Sequence, residues 1–306
     1  MTLALVAGVS AQSNDWKGLY LGGNVGIDAG TSNVQTSPAF SPTGYFAASS
    51  VPAIYASSKQ TINPKGFTGG GDFGYNFQHG IFVLGFEVDF GGMHMNSTKS
   101  ATGTYPCCAP TTYTIAQTTK TDWLFTARPR IGVASKGVML YGTGGFAMTK
   151  LNYQAVFTDT FATAHENGGT DQVQKGFAAG GGAEFKVGPH WTLRGEYLYI
   201  GGFTTVSNST NLTAFGPPAI AFPTNVFTHT DDLSAHLFRF VSVSTTASKH
   251  ERPAPTPAAF ASSGQNSASD GRVKKRPGII LCAGSRVAVY NYRREMEERA
   301  REALGG

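Results

Sequence analysis

One feature constrains this chain more than any other: apolar and polar residues alternate with period two, in stretches of about ten, again and again along the sequence. In Gly66–Gln78, Phe67, Phe73, Tyr75 and Phe77 share one face, opposite Thr68, Asp72, Asn76 and Gln78. In Ile81–Phe90, Phe82, Leu84, Phe86, Val88 and Phe90 alternate with Gly85, Glu87 and Asp89. The same rhythm runs through Trp16–Ile27, Trp123–Val133, Val138–Thr149, Gly176–Val187 and Trp191–Ile200, and restarts near Leu233. Eight strands are therefore expected, each about 10 residues long, which is what a tilted strand needs to cross a bilayer. Pro129 lacks a ladder donor, so a local irregularity is expected beside it.

The connections have a rhythm of their own. Gln78-His79-Gly80, Ser135-Lys136-Gly137 and Gly188-Pro189-His190 read as tight turns. Between them, residues 28–65, 91–122, 150–175 and 201–232 are long and rich in Thr, Ser, Asn, Pro and Gly, and are expected to be loops. Short and long connections thus alternate. In an up-and-down barrel this puts every long loop at one end and every short turn at the other, the asymmetry of bacterial outer-membrane barrels. No run approaches the roughly 18 apolar residues of a transmembrane helix. The expected fold is all-β: an eight-stranded antiparallel up-and-down transmembrane β-barrel with a disordered or irregular C-terminal tail.

Charge placement decides which face meets lipid. The polar faces carry Asp72, Glu87, Asp89, Arg128, Arg130, Glu184, Lys186, Arg194, Glu196 and Arg239, five acidic and five basic. An eight-stranded interior is just wide enough for side chains, so a balanced charge network fits there, whereas the many aromatics would overfill it. Lipid-out packing follows, with Trp16, Trp123, Trp191, Tyr197 and Tyr199 as an interfacial girdle. The alternative is a soluble, lipocalin-like barrel with its aromatics inside. Gly69-Gly70-Gly71 and Gly180-Gly181-Gly182 lie inside strands with no following helix or Lys-Ser/Thr, so they make room for neighbours rather than cradle phosphate.

The formal net charge of +5 suggests nucleic acid until it is located. Residues 241–306 hold 11 Lys/Arg and 6 Asp/Glu, leaving 13 of each in the rest of the chain, so the excess belongs to a tail and no nucleic-acid partner is expected. Residues 1–11 end in Val9-Ser10-Ala11 and read as a signal-peptide remnant. Residues 12–240 form the barrel. Residues 241–306 read as an atypical, low-order basic tail, derived from a frameshift or lost stop codon, or else a periplasmic extension. Cys107 and Cys108 are neighbours and Cys282 lies far off, so free thiols are expected.

Six segments occur in a familiar order: Trp16–Gly26, Leu84–Asp89, Arg128–Gly132, Leu140–Ala147, Gly180–Glu184 and Trp191–Tyr199. In that order and spacing they resemble the small porin-like, opacity-type family of outer-membrane immunogenic proteins of alphaproteobacteria. The resemblance implies an eight-stranded outer-membrane barrel with surface-exposed loops, and no catalytic residues to carry over. The expected partners are outer-membrane lipid and lipopolysaccharide, the barrel assembly machinery, and a host or environmental ligand at the loops.

Chemistry is sparse. The seven histidines show no metal-ligand spacing, and no catalytic, metal or cofactor site is expected. Asp231, Asp232, Ser234 and His236 could be proposed as a rim hydrolase site, but rim polar residues meeting water are the simpler reading. The chain is thus expected to be a structural or interaction protein of the surface. The alternatives are a small porin, a rim lipid or peptide hydrolase, and a soluble ligand-binding barrel.

Overall fold

The computed structural model describes residues 16–135, 137–188 and 190–245. The expected signal segment and residues 246–306 lie outside the described residues. Eight long strands carry the fold: β1 (Gly18–Pro38), β3 (Lys65–His79), β4 (Phe82–Thr104), β5 (Thr112–Ser135), β6 (Val138–Asp159), β7 (His165–Lys186), β8 (Trp191–Ser209) and β11 (Phe227–Thr245). Three short ones join them: β2 (Gln60–Ile62), β9 (Thr213–Ala214) and β10 (Ile220–Ala221). Among the described residues a single helix, α1 (Ser50–Ser58), follows β1.

The expected count of eight strands is corrected: the described residues form one eleven-stranded sheet. The extra strands come from connections read as loops. β2 pairs with β1, β9 with β7, and β10 with β9. Backbone groups near the loop bases need partners, and the sheet supplies them. The result is a barrel-like but irregular sheet rather than a plain eight-stranded up-and-down barrel. The long strands are antiparallel and paired along both edges, including β1 with β11 and β7 with β8, so the sheet has an inner and an outer face.

The strands are also longer than expected, 15 to 24 residues. Much of what read as loop continues the ladder. Threonine explains this: its branched side chain suits a pleated surface, and cross-strand pairs such as Thr98–Thr118 (2.8 Å) and Thr102–Thr114 (2.9 Å) join β4 to β5. β11 likewise runs to Thr245, past the barrel boundary expected at 240. At the β4–β5 tip, Cys107 and Cys108 are disulfide-bonded rather than free. The turn that brings them together is closed by Tyr105 N–H to Thr111 O (3.0 Å) and Cys108 N–H to Tyr105 O (3.3 Å). Near Pro129 the β5–β6 ladder is interrupted between Ala127–Phe146 and Arg130–Thr143, without a change of register.

Burial is inverted relative to a water-soluble sheet. Phe67 is 75% exposed and Phe240 74%, and Leu21, Val25, Phe73, Phe86, Ile131, Leu140, Phe177 and Leu193 are exposed beside them. Arginines and carboxylates occupy the interior. So large a continuous apolar belt marks a surface that meets lipid. At Gly70 and Gly91, which face each other across β3 and β4, a Cβ would run into the opposing backbone. Glycine is required there for close approach.

The inward phase changes along two strands. On β8, Arg194, Glu196, Leu198 and Ile200 point inward, then Phe203 and Thr205 do. An extra residue is taken up around Gly202, whose φ is +80°. On β5 the inward set is Ile115, Gln117, Thr119 and Thr121, then Leu124, Thr126 and Arg128. Here the register shifts against both neighbours, and Thr121 repairs the gap. Its hydroxyl donates to Met93 O (2.7 Å) and accepts from Met95 N–H (3.2 Å). Thr121→Val is expected to strand both backbone groups and cost about 1–3 kcal/mol, while Thr121→Ser retains most of the stability. The guanidinium midpoint, followed by the mobility of unboiled protein on a gel, measures both; an unchanged midpoint for the valine variant would exclude this role.

Candidate functional site

The interior is built in layers. Nearest the short turns, Trp16, Val83, Ala134, Met139 and Tyr141 form an apolar floor. Above it lies a cluster of ions, and above that a second apolar layer including Met93, Met95, Leu124, Leu198, Phe203 and Leu237. A polar layer follows, and an aromatic cap closes the long-loop end.

The ion cluster draws a side chain from every long strand. Cross-strand register sets it up, placing Glu87 opposite Arg128, Glu184 opposite Arg194, and Glu196 opposite Arg239. Arg128 reaches Glu87 (2.8 Å), Asp89 (2.8 Å) and Glu196 (3.3 Å). Arg239 bridges Asp89 (2.9 Å) and Glu196. Arg130 reaches Glu184 (2.7 Å) and Glu87 (3.3 Å). Arg194 reaches Glu184 and Glu87, both at 2.6 Å, and Asp72 at 3.5 Å. None of these residues is more than 4% exposed. Charges so deeply buried persist only when paired and hydrogen-bonded.

Two members were missed in the sequence. Tyr20 donates to Glu87 (2.8 Å) and accepts from Arg130 (3.0 Å); Tyr141 donates to Glu196 (2.9 Å), and its ring lies 4.2 Å from the Arg130 guanidinium carbon. The signal was present, since both tyrosines share the strand face of the glycines and polar residues. Lys186 stands outside the cluster. It sits near the end of β7, two residues beyond Glu184, with its ammonium 4.7 Å from the Trp16 ring centre.

The expected girdle residues are placed unequally. Trp16 is buried in the floor, its backbone N–H donating to Gln78 (2.6 Å). Trp123 is half-buried, with its ring 5.9 Å from Phe90. Trp191 and Tyr197 are exposed, and half-buried Tyr199 lies 5.9 Å from Phe177.

The rim residues do not converge. Asp231 and His236 are an odd number of positions apart and so face opposite sides of β11. Asp231 is buried, accepting from Ser32 (2.6 Å) and Thr119 (3.0 Å). His236 is exposed and 2.7 Å from the Tyr197 hydroxyl. Asp232 faces outward and accepts from Thr204 (3.2 Å), and Ser234 approaches Thr31 O at 3.5 Å.

The polar layer holds Thr36, Gln117, Tyr153, His229, Ser209 and Glu166, none of them legible as a site in the sequence. Ser209 lies 2.9 Å from His229 Nε2 but donates to Glu166, and His229 Nδ1 meets Thr36 (3.0 Å) instead of a carboxylate. A nucleophilic triad needs the acid on the other ring nitrogen, so this arrangement holds structure rather than activating serine. Among the described residues, no group of three His, Cys, Asp or Glu is arranged to hold a metal.

Two outcomes follow from this geometry. Glu196→Gln, which deprives Arg128 and Arg239 of their shared counter-charge, is expected to cost about 3 kcal/mol in unfolding free energy, read from the guanidinium midpoint. Asp231 stands beyond the lipid-facing belt, and burial raises its carboxyl from 3.8 to about 6. The neutral form is therefore favoured in the folded state. Its contribution is fully present below the unfolded value and lost as pH rises through the folded one, up to about 3 kcal/mol. Asp231→Asn is expected to retain that stability at about pH 8, where the midpoint of the unchanged chain has fallen relative to about pH 4.

Residues 1–216 match the family model described as outer membrane protein beta-barrel domain. The chain is 34% identical over 183 residues to the 31 kDa outer-membrane immunogenic protein of Brucella melitensis, covering 59% of this chain and 70% of that relative, and equally to its counterpart in Brucella suis. Among solved structures, OprG of Pseudomonas aeruginosa aligns at 11% identity with a TM-score of 0.37, covering 76% of this chain and 99% of that one. Ail of Yersinia pestis aligns at 14% with a TM-score of 0.22, covering 71% and 99%. An inverted sheet, a lipid-facing aromatic belt, the family match and the Brucella relatives lead to one conclusion: the chain belongs to the outer-membrane β-barrel domain family and is a surface protein of the bacterial outer membrane.

Proposed function

We propose that the chain is a non-conducting interaction protein, whose extended strands hold a structured platform outside the membrane. The observation that carries this is the sealed interior. Two apolar layers bracket the ion cluster, and the polar layer above them is covered by Phe46, Ile54, Tyr105, Tyr113, Phe157 and Phe227. Water-filled conduction needs a continuous polar path, which stacked apolar layers interrupt. A porin reading has no comparable support.

The platform itself is ordered sheet. β4 and β5 run on to Thr104 and Thr112, well beyond the apolar belt that ends near Phe90 and Trp123. Contact with a host or environmental ligand is assigned to this end. Contact with lipopolysaccharide is assigned to the outer wall just above the belt, where Lys65, Lys120 and Lys175 are exposed. Assembly machinery completes the set of partners.

In planar bilayers the purified, folded chain is expected to give no steady open-channel steps. Reproducible unitary conductance would reject the sealed-interior reading. Loop-tip epitopes such as Phe161 and Phe215 are expected to be labelled by antibody on intact cells.

A further inference from the structure

The loop tips enclose a cavity of about 190 Å³ lined by Tyr45, Phe46, Tyr105, Phe161 and the Cys107–Cys108 disulfide. Its elements are brought together from three connections. Tyr45 and Phe46 follow β1, Tyr105 and the cysteines cap β4, and Phe161 lies between β6 and β7. The Tyr45 ring sits 5.2 Å from Phe46 and 6.3 Å from Phe161, each edge-on. The volume is below the roughly 300–1,000 Å³ of sites for drug-sized ligands, so it suits a small headgroup.

The electrostatics behind the rings narrow the choice. The Tyr45 and Tyr105 hydroxyls both donate to Asp159 Oδ2, at 2.5 and 2.8 Å. Asp159 Oδ1 accepts from the backbone of Ala162 (3.2 Å) and Ala164 (2.8 Å). Among the described residues Asp159 is in no ion pair, so its charge is stabilised but not neutralised. An aromatic lining with this carboxylate hydrogen-bonded behind it favours a cation over an anion. Both phenols are held as donors to Asp159, burial first and the neighbouring carboxylate second pushing them well above the ordinary tyrosine range.

The proton of each hydroxyl is thereby committed. Of the other lining groups, Ser50 Oγ is directed at Cys107 Sγ (3.6 Å). An anion or a sugar would need hydrogen-bond donors that this wall has already committed, and a primary ammonium would meet Asp159 lone pairs already filled by four donors. A quaternary ammonium carries no N–H and needs only aromatic faces and a negative field, the combination found in aromatic cages. We propose that this cavity binds a quaternary ammonium headgroup of the choline type. The inference rests on the reading that this end faces outward, but its test does not.

The test is calorimetric titration of the full chain, folded in detergent and not reduced, with choline. Its uncharged carbon analogue, in which a tert-butyl group replaces the trimethylammonium, is the control. Saturable choline binding is expected, with the neutral analogue weaker by roughly tenfold. Phe161→Ala weakens choline, and Asp159→Asn removes the preference for the cation while leaving the fold intact by gel mobility. Equal binding of the two ligands would overturn the proposal in favour of a merely apolar pocket. So would no saturable binding by protein that shows the folded mobility. Failure of antibody labelling on intact cells would instead count against the outward-facing platform.

Discussion

The layer of arginines and carboxylates inside the sheet is the constraint from which the rest of the molecule follows. Four guanidinium groups and five carboxylates are held where water does not reach. Each arginine touches at least two carboxylates, and the tyrosines at positions 20 and 141 supply further donors. A pair of buried charges alone rarely repays its desolvation. A network in which every long strand contributes is different, because it fixes the mutual register of the whole sheet. A strand slipped by one residue would turn its charge out into lipid and an aromatic into the cluster. The outer belt and the inner network thus specify the same register from opposite sides.

That double specification is why the membrane half was readable from the amino-acid order. Charges and aromatics alternate on Ile81–Phe90 and Trp191–Ile200 so regularly that the two faces separate by parity alone. Legibility failed where parity carried less information. Tyr20 and Tyr141 share the inner parity, but tyrosine in such a chain suggests an interface, so their place among the ions went unseen. Lys186 also shares the inner parity, yet it lies past the layer, because parity gives a face and not a height.

The outer half was misread for a different reason. Residues 91–122 and 150–175 are rich in threonine and punctuated by glycine, which in composition resembles loop. In place they form ladder, since threonine pairs with threonine across the strands and the far residues of each strand find partners. The polar layer of Thr36, Gln117, Tyr153, His229, Ser209 and Glu166 was therefore hidden. Its members are drawn from six different strands and only register brings them together. The short strands β2, β9 and β10 arise the same way, from contacts between distant segments that no local pattern announces.

The changes of inward phase on β5 and β8 divide the molecule into two storeys. Below the extra residue near Gly202, even-numbered positions of β8 face inward; above it, odd-numbered ones do. The storeys share a backbone but not a pattern, so the sequence rules that keep the lower one in lipid do not extend upward. The upper storey can be recast, lengthened or given a new surface while the lower one keeps its charges inside. For a protein of the outer-membrane surface, such a break in phase works as an insulating joint, confining change to the end that carries the external loops.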